Sequence, residues 1–145
     1  MTPVETIKEW LQTFPGWAQM ENFNVDFTSN MPGSGGIFPA GLTENGRHED
    51  ICGGLTVDNQ YNFAVYCVLE KPTDDDIQAL VNARFVQDLQ MWVQQQSAAG
   101  LAPTFGEEPD REQMQAQNGT MYGVDADGTA AMYVIQLSAK FVKHY

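Results

Sequence analysis

Residues 73–105 constrain the fold most, because they contain a long run of apolar side chains at helical spacing. The apolar side chains form a stripe broad enough to lie on a sheet: Ile77, Leu80, Val81, Phe85, Leu89, Trp92 and Val93. Amide side chains occupy the opposite face: Gln78, Asn82, Gln87, Gln90 and Gln94. The spacing therefore predicts a helix over residues 73–99 that organises the domain.

Both ends of this helix carry termination signals. Thr73 is a suitable cap, and the aspartates at 74–76 place negative charge where the helix dipole favours it. A metal cluster is the alternative, but adjacent helical positions point in different directions, so capping is the better interpretation. At the other end Gly100 stops the helix, Leu101 folds back onto the last turn, and Pro103 prevents continuation.

Length and charge limit the classes of protein that the chain can belong to. The 145 residues fit a single domain, residues 1–145, without an internal linker. Seven Lys and Arg against 19 Asp and Glu give a formal net charge of −12, which argues against binding nucleic acid by phosphate neutralisation. A channel through which DNA slides without sticking remains compatible with that charge.

The sequence contains no apolar run long enough to cross a bilayer and no signal peptide at its start. We therefore expect no membrane association and a location in the cytoplasm of the cell that makes the protein. Cys52 and Cys67 are expected to be reduced, because a chain without an export signal rarely forms a disulfide.

The first third of the chain predicts a helix, a strand and a loop. Residues 2–14 read as a short helix capped by Thr2, and Pro15 and Gly16 stop it. Phe23, Val25 and Phe27 alternate with polar residues, which predicts a strand. Residues 29–46 are rich in Gly, Pro and Asn and predict an extended mobile loop. This loop does not match a nucleophile elbow, a dinucleotide-binding loop or a P-loop.

Alternating apolar residues predict a long strand over residues 55–69, after a short strand at 47–51 and a turn at Gly53 and Gly54. Fully extended, that strand spans about 50 Å, so we expect one end to project or to pair with a neighbouring subunit. Its second half is apolar at Ala64, Tyr66 and Val68 as well, which predicts burial on both faces, with helix 73–99 covering one of them.

The last third predicts a solvated segment and a hairpin. Residues 106–119 are polar and acidic, with a possible helical turn at 111–117. Strand patterns at 121–124 and 130–143 flank a turn signal at 125–129, and the second arm should lie near the middle of a sheet. The whole order predicts an α+β fold: an antiparallel sheet with a long strand in its N-terminal half and a C-terminal hairpin, packed by helix 73–99 and the short N-terminal helix.

The candidate metal ligands do not complete a site. Asp125 and Asp127 precede Gly128 as in a calcium loop, but Gly123 and Val134 would occupy two ligand positions, so a hairpin turn is predicted. The trio His48, Cys52 and Cys67 lacks zinc-ligand spacing, and Cys67 is expected in the core.

Few residues suggest catalysis. A cysteine nucleophile paired with His48 stays open, because such partners need not be adjacent in sequence. His144 and the carboxylate pairs Glu49–Asp50 and Glu107–Glu108 are expected to be solvated. The sequence therefore predicts no catalytic, cofactor-binding or metal-binding residues.

Several segments resemble a known class of protein. They are EWLQTFPGW at 9–17, RHED at 47–50, Tyr61-Asn62-Phe63 and WVQQQSAAGLAPTFGEEP at 92–109. Together with the order of elements, they resemble bacteriophage tail terminator and tail-completion proteins, including the minor capsid proteins of prophages of Gram-positive bacteria.

The resemblance implies a structural protein and not an enzyme. It implies a hexameric ring that caps the tail tube and docks to the head–tail connector, with tail tube protein and connector as partners and DNA passing without specific binding. It also implies a host-cytoplasmic location during assembly and then the virion tail. The long strand would offer an edge to neighbours, and loop 29–46 a docking element. Two alternatives remain: another connector or tail tube component, and a small ligand-binding domain or enzyme with the Gly-rich loop as a lid.

Overall fold

The computed structural model describes residues 2–20, 22–26, 32–70, 77–124 and 130–145. In chain order the elements are α1 (Pro3–Leu11), β1 (Asn22–Val25), β2 (Ser34–Glu49), β3 (Leu55–Glu70), α2 (Ile77–Ala98), β4 (Gln113–Val124) and β5 (Ala130–His144). The strands form a five-stranded sheet in the order β1-β2-β3-β5-β4. β1 pairs with β2 in parallel and the other pairs are antiparallel, so the predicted α+β fold is confirmed with a mixed sheet.

The N-terminal helix begins where the sequence predicts. Glu5 N donates to Thr2 Oγ1 at 3.3 Å, and Thr2 N donates to Glu5 Oε2 at 3.4 Å, which completes a capping box. Ile7, Trp10 and Leu11 are buried. α1 ends at Leu11, before the predicted end at Phe14, and a separate short 3-10 helix follows at Pro15–Gln19, where the sequence predicts only a stop.

The predicted loop at 29–46 is wrong from residue 34 onward, because this segment is the long strand β2. Tertiary contacts explain its glycines and proline. A Cβ added at Gly35 would lie 3.3 Å from Phe23 Cδ1, so glycine allows β1 to approach closely. Pro39 lies beside a register shift and beyond Ile37, where the pairing with β1 ends, and edge or bulge positions tolerate proline. Residues 27–31, including Phe27, lie outside the described residues.

The predicted strand at 55–69 is confirmed as β3, but its expected projecting end is wrong. β3 lies between β2 and β5 from Thr56 to Val68, and Leu55 N donates to Tyr145 O at 3.0 Å. Val65, Cys67 and Val68 are buried, whereas Ala64 and Tyr66 are only partly buried. The long strand that reaches the edge of the sheet is therefore β2 and not β3.

Helix α2 ends as predicted. Gly100 has a φ of +72°, and Leu101 N donates to Gln96 O at 2.9 Å, which is the hydrogen bond of a glycine C-terminal cap. Leu101 itself is exposed, so the prediction that it folds back onto the last turn is wrong. The predicted capping residues Thr73 and 74–76 lie outside the described residues.

The predicted apolar stripe of α2 is wrong in its first half. The buried side chains are Asn82, Phe85, Val86, Leu89 and Val93, while Ile77, Leu80 and Val81 are exposed. The carbonyl of Glu70 at the end of β3 takes part in this arrangement, because it accepts a hydrogen bond from the helix. Asn82 Nδ2 donates to Glu70 O at 2.7 Å, and Asn82 Oδ1 accepts from Gln78 Nε2 at 2.9 Å. This contact turns an amide toward the core and leaves Val81 outside.

The solvated segment predicted at 106–119 is wrong from Gln113, where β4 begins, and the helical turn predicted at 111–117 is absent from this described stretch. A 3-10 helix at Pro109–Arg111 precedes the strand. The hairpin is confirmed: β4 pairs with β5, which lies between β3 and β4 near the middle of the sheet. Its turn at 125–129 lies outside the described residues.

Aromatic side chains join the helices over one face of the sheet. Trp10 of α1 stacks on Trp92 of α2 with ring centroids 4.9 Å apart, and Trp10 Nε1 donates to Gln96 Oε1 at 3.2 Å. Phe14 contacts Trp92 and Phe85. Because both helices pack against the face that carries Phe63 and its neighbours, the opposite face of the sheet is not covered by them.

Candidate functional site

The predicted cysteine and histidine candidates are not brought together. Cys52 is exposed in the turn after β2, whereas Cys67 is fully buried in β3, and both are free thiols. Burial raises the pKa of the Cys67 thiol to about 12. His48 is exposed, with its Nε2 3.5 Å from Asp58 Oδ2. A thiolate nucleophile at Cys67 is therefore not supported.

The described part of the chain contains no group of three or more His, Cys, Asp or Glu side chains that could hold a metal ion. The calcium-like pair Asp125 and Asp127 lies outside it. No helix in the described ranges is long and apolar enough to cross a membrane.

We expect one fast and one protected thiol in the native protein. Cys52 should react with a thiol reagent at pH 8 within minutes, whereas Cys67 should react only after denaturation, because burial denies access and keeps its pKa near 12. The absorbance of the chromophore that the reagent releases measures the fast reaction of Cys52 and the later reaction of Cys67. Cys52→Ala should remove the fast phase alone, and two fast thiols in the native protein would contradict the placement of Cys67.

A hydroxyl, an imidazole and a carboxylate lie in a row at the end of β5. Thr56 Oγ1 is 3.0 Å from His144 Nδ1, and His144 Nε2 is 3.2 Å from Glu108 Oε1. This order is that of a nucleophilic triad, and sequence reasoning missed it because the three residues are far apart in the chain. However, the side chains of His144 and Glu108 are 44% and 30% exposed, so the row lies at the surface.

The contacts around these three side chains attach the segment at Glu107 and Glu108 to the end of β5. Glu107 N donates to Val142 O at 2.8 Å, and His144 N donates to Glu107 Oε2 at 2.6 Å. Arg111 Nη1 donates to Glu108 Oε2 at 2.6 Å. The prediction that Glu107 and Glu108 are merely solvated is wrong, because both bind the last residues of β5.

The carboxylate of Glu112 stabilises the same segment by accepting hydrogen bonds from its backbone. Its Oε1 accepts from Phe105 N at 2.9 Å and from Gly106 N at 2.8 Å, and its Oε2 accepts from Glu108 N at 3.1 Å. A Cβ at Gly106 would collide with the backbone of Val142.

Asp50 stabilises the turn after β2 in a similar way. Its Oδ1 accepts from Cys52 N and Gly54 N, so the prediction that it is simply solvated is also wrong. These carboxylates fix turns.

The two edges of the sheet differ in how they are protected. At β4, Gln90 Nε2 donates to Ala116 O at 3.3 Å and Met114 N donates to Ser97 Oγ at 3.0 Å, so side chains of α2 bind the first part of this edge. At the other side, β1 pairs with β2 only as far as Ile37, and residues 38–49 are mostly exposed. Among the described residues, no strand pairs with the outer side of β2 from residue 38 to 49.

An apolar groove of about 240 Å³ opens beside this edge. Its walls are residues 2–4 at the start of α1, Pro39, Gly41 and Leu42 of β2, and residues 61–63 of β3. Leu42 is 59% exposed. The amide of Asn62 is already used, because its Nδ2 donates to Thr43 Oγ1 at 2.9 Å and contacts Gly41 O at 3.3 Å. The groove therefore suits an apolar side chain better than a polar ligand.

The uncovered face of the sheet is rich in neutral amides. Register pairs Asn62 with Ser138, and Gln136 with both Ala64 and Gln117. Gln60 Nε2 donates to Asn62 Oδ1 at 2.6 Å, and these residues line a shallow depression of about 290 Å³. The centre of this face is thus polar and largely uncharged, although the chain carries a net charge of −12.

Comparison of the chain with protein-family models and with curated proteins identifies no relative. No protein-family model matches the chain, and a search of curated proteins finds no significant match. The geometry alone therefore defines the candidate site as the open edge of β2 with its adjoining apolar groove.

Proposed function

We propose that the chain is a structural protein of a bacteriophage or prophage particle, a tail terminator that forms a ring on the tail tube and docks to the head connector. The resemblance of residues 9–17 and 92–109 to that class supports this function. The structural observation that supports it best is the β2 edge, where residues 38–49 have no strand partner on their outer side among the described residues and adjoin an apolar groove. An assembling protein needs such a surface, whereas a monomer usually protects its edges.

The pairing of the edge strand β2 with β3 is interrupted at two places. These interruptions favour a defined contact with one partner over the repeated addition of further strands. Register shifts lie between Pro39 and Leu42 and between Glu44 and Gly46. Pro39 removes one backbone donor, and Arg47 forms an ion pair of 2.6 Å with Glu44. Interruptions of this kind oppose fibril-like stacking of edges. The groove and the side chains around it would then determine which surface docks.

The charge distribution is compatible with a DNA conduit. A protein with a net charge of −12 gains no free energy from the release of DNA counterions. Duplex DNA would therefore not be held at physiological salt. The neutral amide face supplies a surface that neither binds phosphates strongly nor repels them strongly. We propose that DNA passes through the ring without specific binding.

The alternative of an enzyme with a Gly-rich lid loses its structural basis. The segment expected to be a lid is the strand β2, paired with β3 from Ser34 to Glu49. A different position at the head–tail joint, such as a connector or a tail tube component, stays a rival within the same particle.

The experiment is a measurement of mass and shape over a range of protein concentrations. Light scattering should show a mass that rises from that of a monomer as the concentration increases. Electron micrographs should show rings with a central opening, because head-to-tail contacts form a ring when the rotation between subunits closes. A compact dimer of constant mass at every concentration would contradict the proposal, since a self-complementary contact leaves no surface for further subunits.

A further inference from the structure

Two Asn-Gly pairs occur in the chain, Asn45-Gly46 in β2 and Asn118-Gly119 in β4. An asparagine amide followed by glycine is unusually reactive, because glycine has no Cβ to shield its backbone nitrogen from the side-chain carbon of the preceding residue. Both pairs lie where the register of the sheet shifts, and both asparagines are exposed. The two pairs differ in how the sheet holds the nitrogen of the glycine.

The backbone nitrogen of Gly46 is held by the ladder between β2 and β3. Asp50 N donates to Gly54 O at 2.9 Å at the end of this ladder. Bonded pairs recur at every second position of an antiparallel ladder, so the pair Gly46–Asp58 is a bonded pair as well. The N–H of Gly46 therefore donates to β3, and this bond must break before the nitrogen attacks the side chain of Asn45.

The backbone nitrogen of Gly119 is not held in a paired position. β4 has two residues, 118 and 119, opposite the single residue Ile135 of β5. Leu55 and Tyr145 exchange both of their backbone hydrogen bonds, and the same alternation turns the N–H and C=O of Ile135 toward β3. Gly119 therefore lies in a bulge of β4 without a paired residue on β5.

Packing and backbone conformation favour both residues of the pair in β4. A Cβ at Gly119 would collide with Val86 Cγ1 of α2, so only glycine fits there without a shift of its neighbours. Asn118 has a φ of +60°, in the left-handed region, which asparagine adopts more readily than most residues. Its Nδ2 donates to Gln136 Oε1 at 3.0 Å, which is a side-chain bond at the surface. The fold therefore keeps a reactive pair at this position for structural reasons.

We propose that Asn118 is a site of spontaneous deamidation in the folded protein and that Asn45 is protected. The nitrogen of Gly119 attacks Cγ of Asn118, so that a new N–Cγ bond forms and the Cγ–Nδ2 bond breaks. The proton from the Gly119 nitrogen passes through solvent to the leaving amide, which departs as ammonia. Water then opens the cyclic imide at either carbonyl and leaves aspartate or isoaspartate at position 118.

The product changes the amide-rich face of the sheet. A carboxylate at position 118 adds one negative charge to a chain whose net charge is already −12. It lies beside Gln136 Oε1, which cannot donate, so the side chain of Gln136 must turn its NH₂ group toward the new carboxylate. The reaction needs only the folded monomer and is therefore independent of the proposed ring.

Peptide mapping by mass spectrometry, after incubation of the native protein in mildly alkaline buffer made with heavy-oxygen water, tests the proposal. Each deamidation during the incubation incorporates heavy oxygen from the water that opens the imide. Label should accumulate at residue 118 about tenfold faster than at residue 45, because Gly46 must first give up a backbone hydrogen bond. In concentrated denaturant the two rates should become comparable, since both asparagines then precede a free glycine. Equal rates in the native protein, or protection of both residues, would overturn the proposal.

Two matched substitutions assign the reaction without peptide mapping. Asn118→Ser removes the reacting amide in β4, and Asn45→Ser removes the one in β2. Ammonia release from native Asn45→Ser should equal that from the unsubstituted protein, whereas Asn118→Ser should lose most of it. Thermal melts establish that both variants are folded, and the Asn45→Ser result decides the question even if Asn118→Ser is unstable. Loss of the release in Asn45→Ser would contradict the proposal.

Discussion

Leu89→Ala is expected to lower the free energy of unfolding by about 3–4 kcal/mol, whereas Leu80→Ala is expected to change it by less than about 0.5 kcal/mol. Leu89 is 1% exposed and packs among Phe85 and Val93, so truncation leaves a cavity in the core. Leu80 lies outward on the same helix and loses almost no contact in the monomer. The two substitutions remove the same atoms, so their difference reports which face of α2 is buried.

Urea denaturation at a low protein concentration, followed by tryptophan fluorescence, measures both values without interference from assembly. Trp10 and Trp92 stack in the core and report its loss. Similar losses for the two variants would mean that the whole predicted stripe from Ile77 onward is buried, and that the helix is rotated from the position described above.

Periodic segments were predicted well because their own side chains determine their faces. The strand β3 and the second arm β5 alternate along their length, and α1 has a capping residue, a proline and an apolar side in the right order. The prediction failed at β2, since its Gly and Pro residues are typical of loops. Pairing with β3 and the close approach of Phe23 to Gly35 stabilise a strand there, and neither contact is visible in the local sequence.

The prediction of which face of α2 is buried failed for a similar reason. A helical stripe treats Val81 as core and Asn82 as surface, but the carbonyl of Glu70 needs a donor at this point. A part-buried hydrogen bond between β3 and α2 therefore accompanies the exchange of the two positions, and Leu80 and Val81 stay exposed.

The candidate site could not be predicted from the sequence. The groove joins residues 2–4, 39–42 and 61–63, which tertiary packing alone brings together. Its signal in the sequence is weak, because Leu42 lies in a segment that reads as a loop. The open edge also depends on where β1 ends, and no local pattern gives that position.

The segments that carry the resemblance to tail terminators have structural roles in this chain. Trp92 stacks on Trp10, and Gly106 occupies a place where a side chain would collide with the backbone of Val142. Glu107 and Glu108 bind the end of β5. These residues therefore support the fold, whereas Tyr61, Asn62 and Phe63, which also carry the resemblance, line the groove.

The proposed function predicts that a phage lacking this protein produces no infective particles. It should still make heads and tube protein, because neither requires a terminator. The tubes should fail to stop at a uniform length and fail to join heads, since the ring that ends the tube and presents the docking surface is missing. This is the largest effect that the proposed function predicts.

Complementation makes this effect specific. Supplying the unsubstituted protein should restore joined particles, which would show that the loss is due to this protein alone.

Electron micrographs of the lysate from the deleted phage test the central claim most directly. We predict free heads together with unattached tubes of widely varying length. Tails of uniform length that are normally joined to heads would contradict the terminator role, and heads without connectors beside normal tails would place the protein on the head side of the joint.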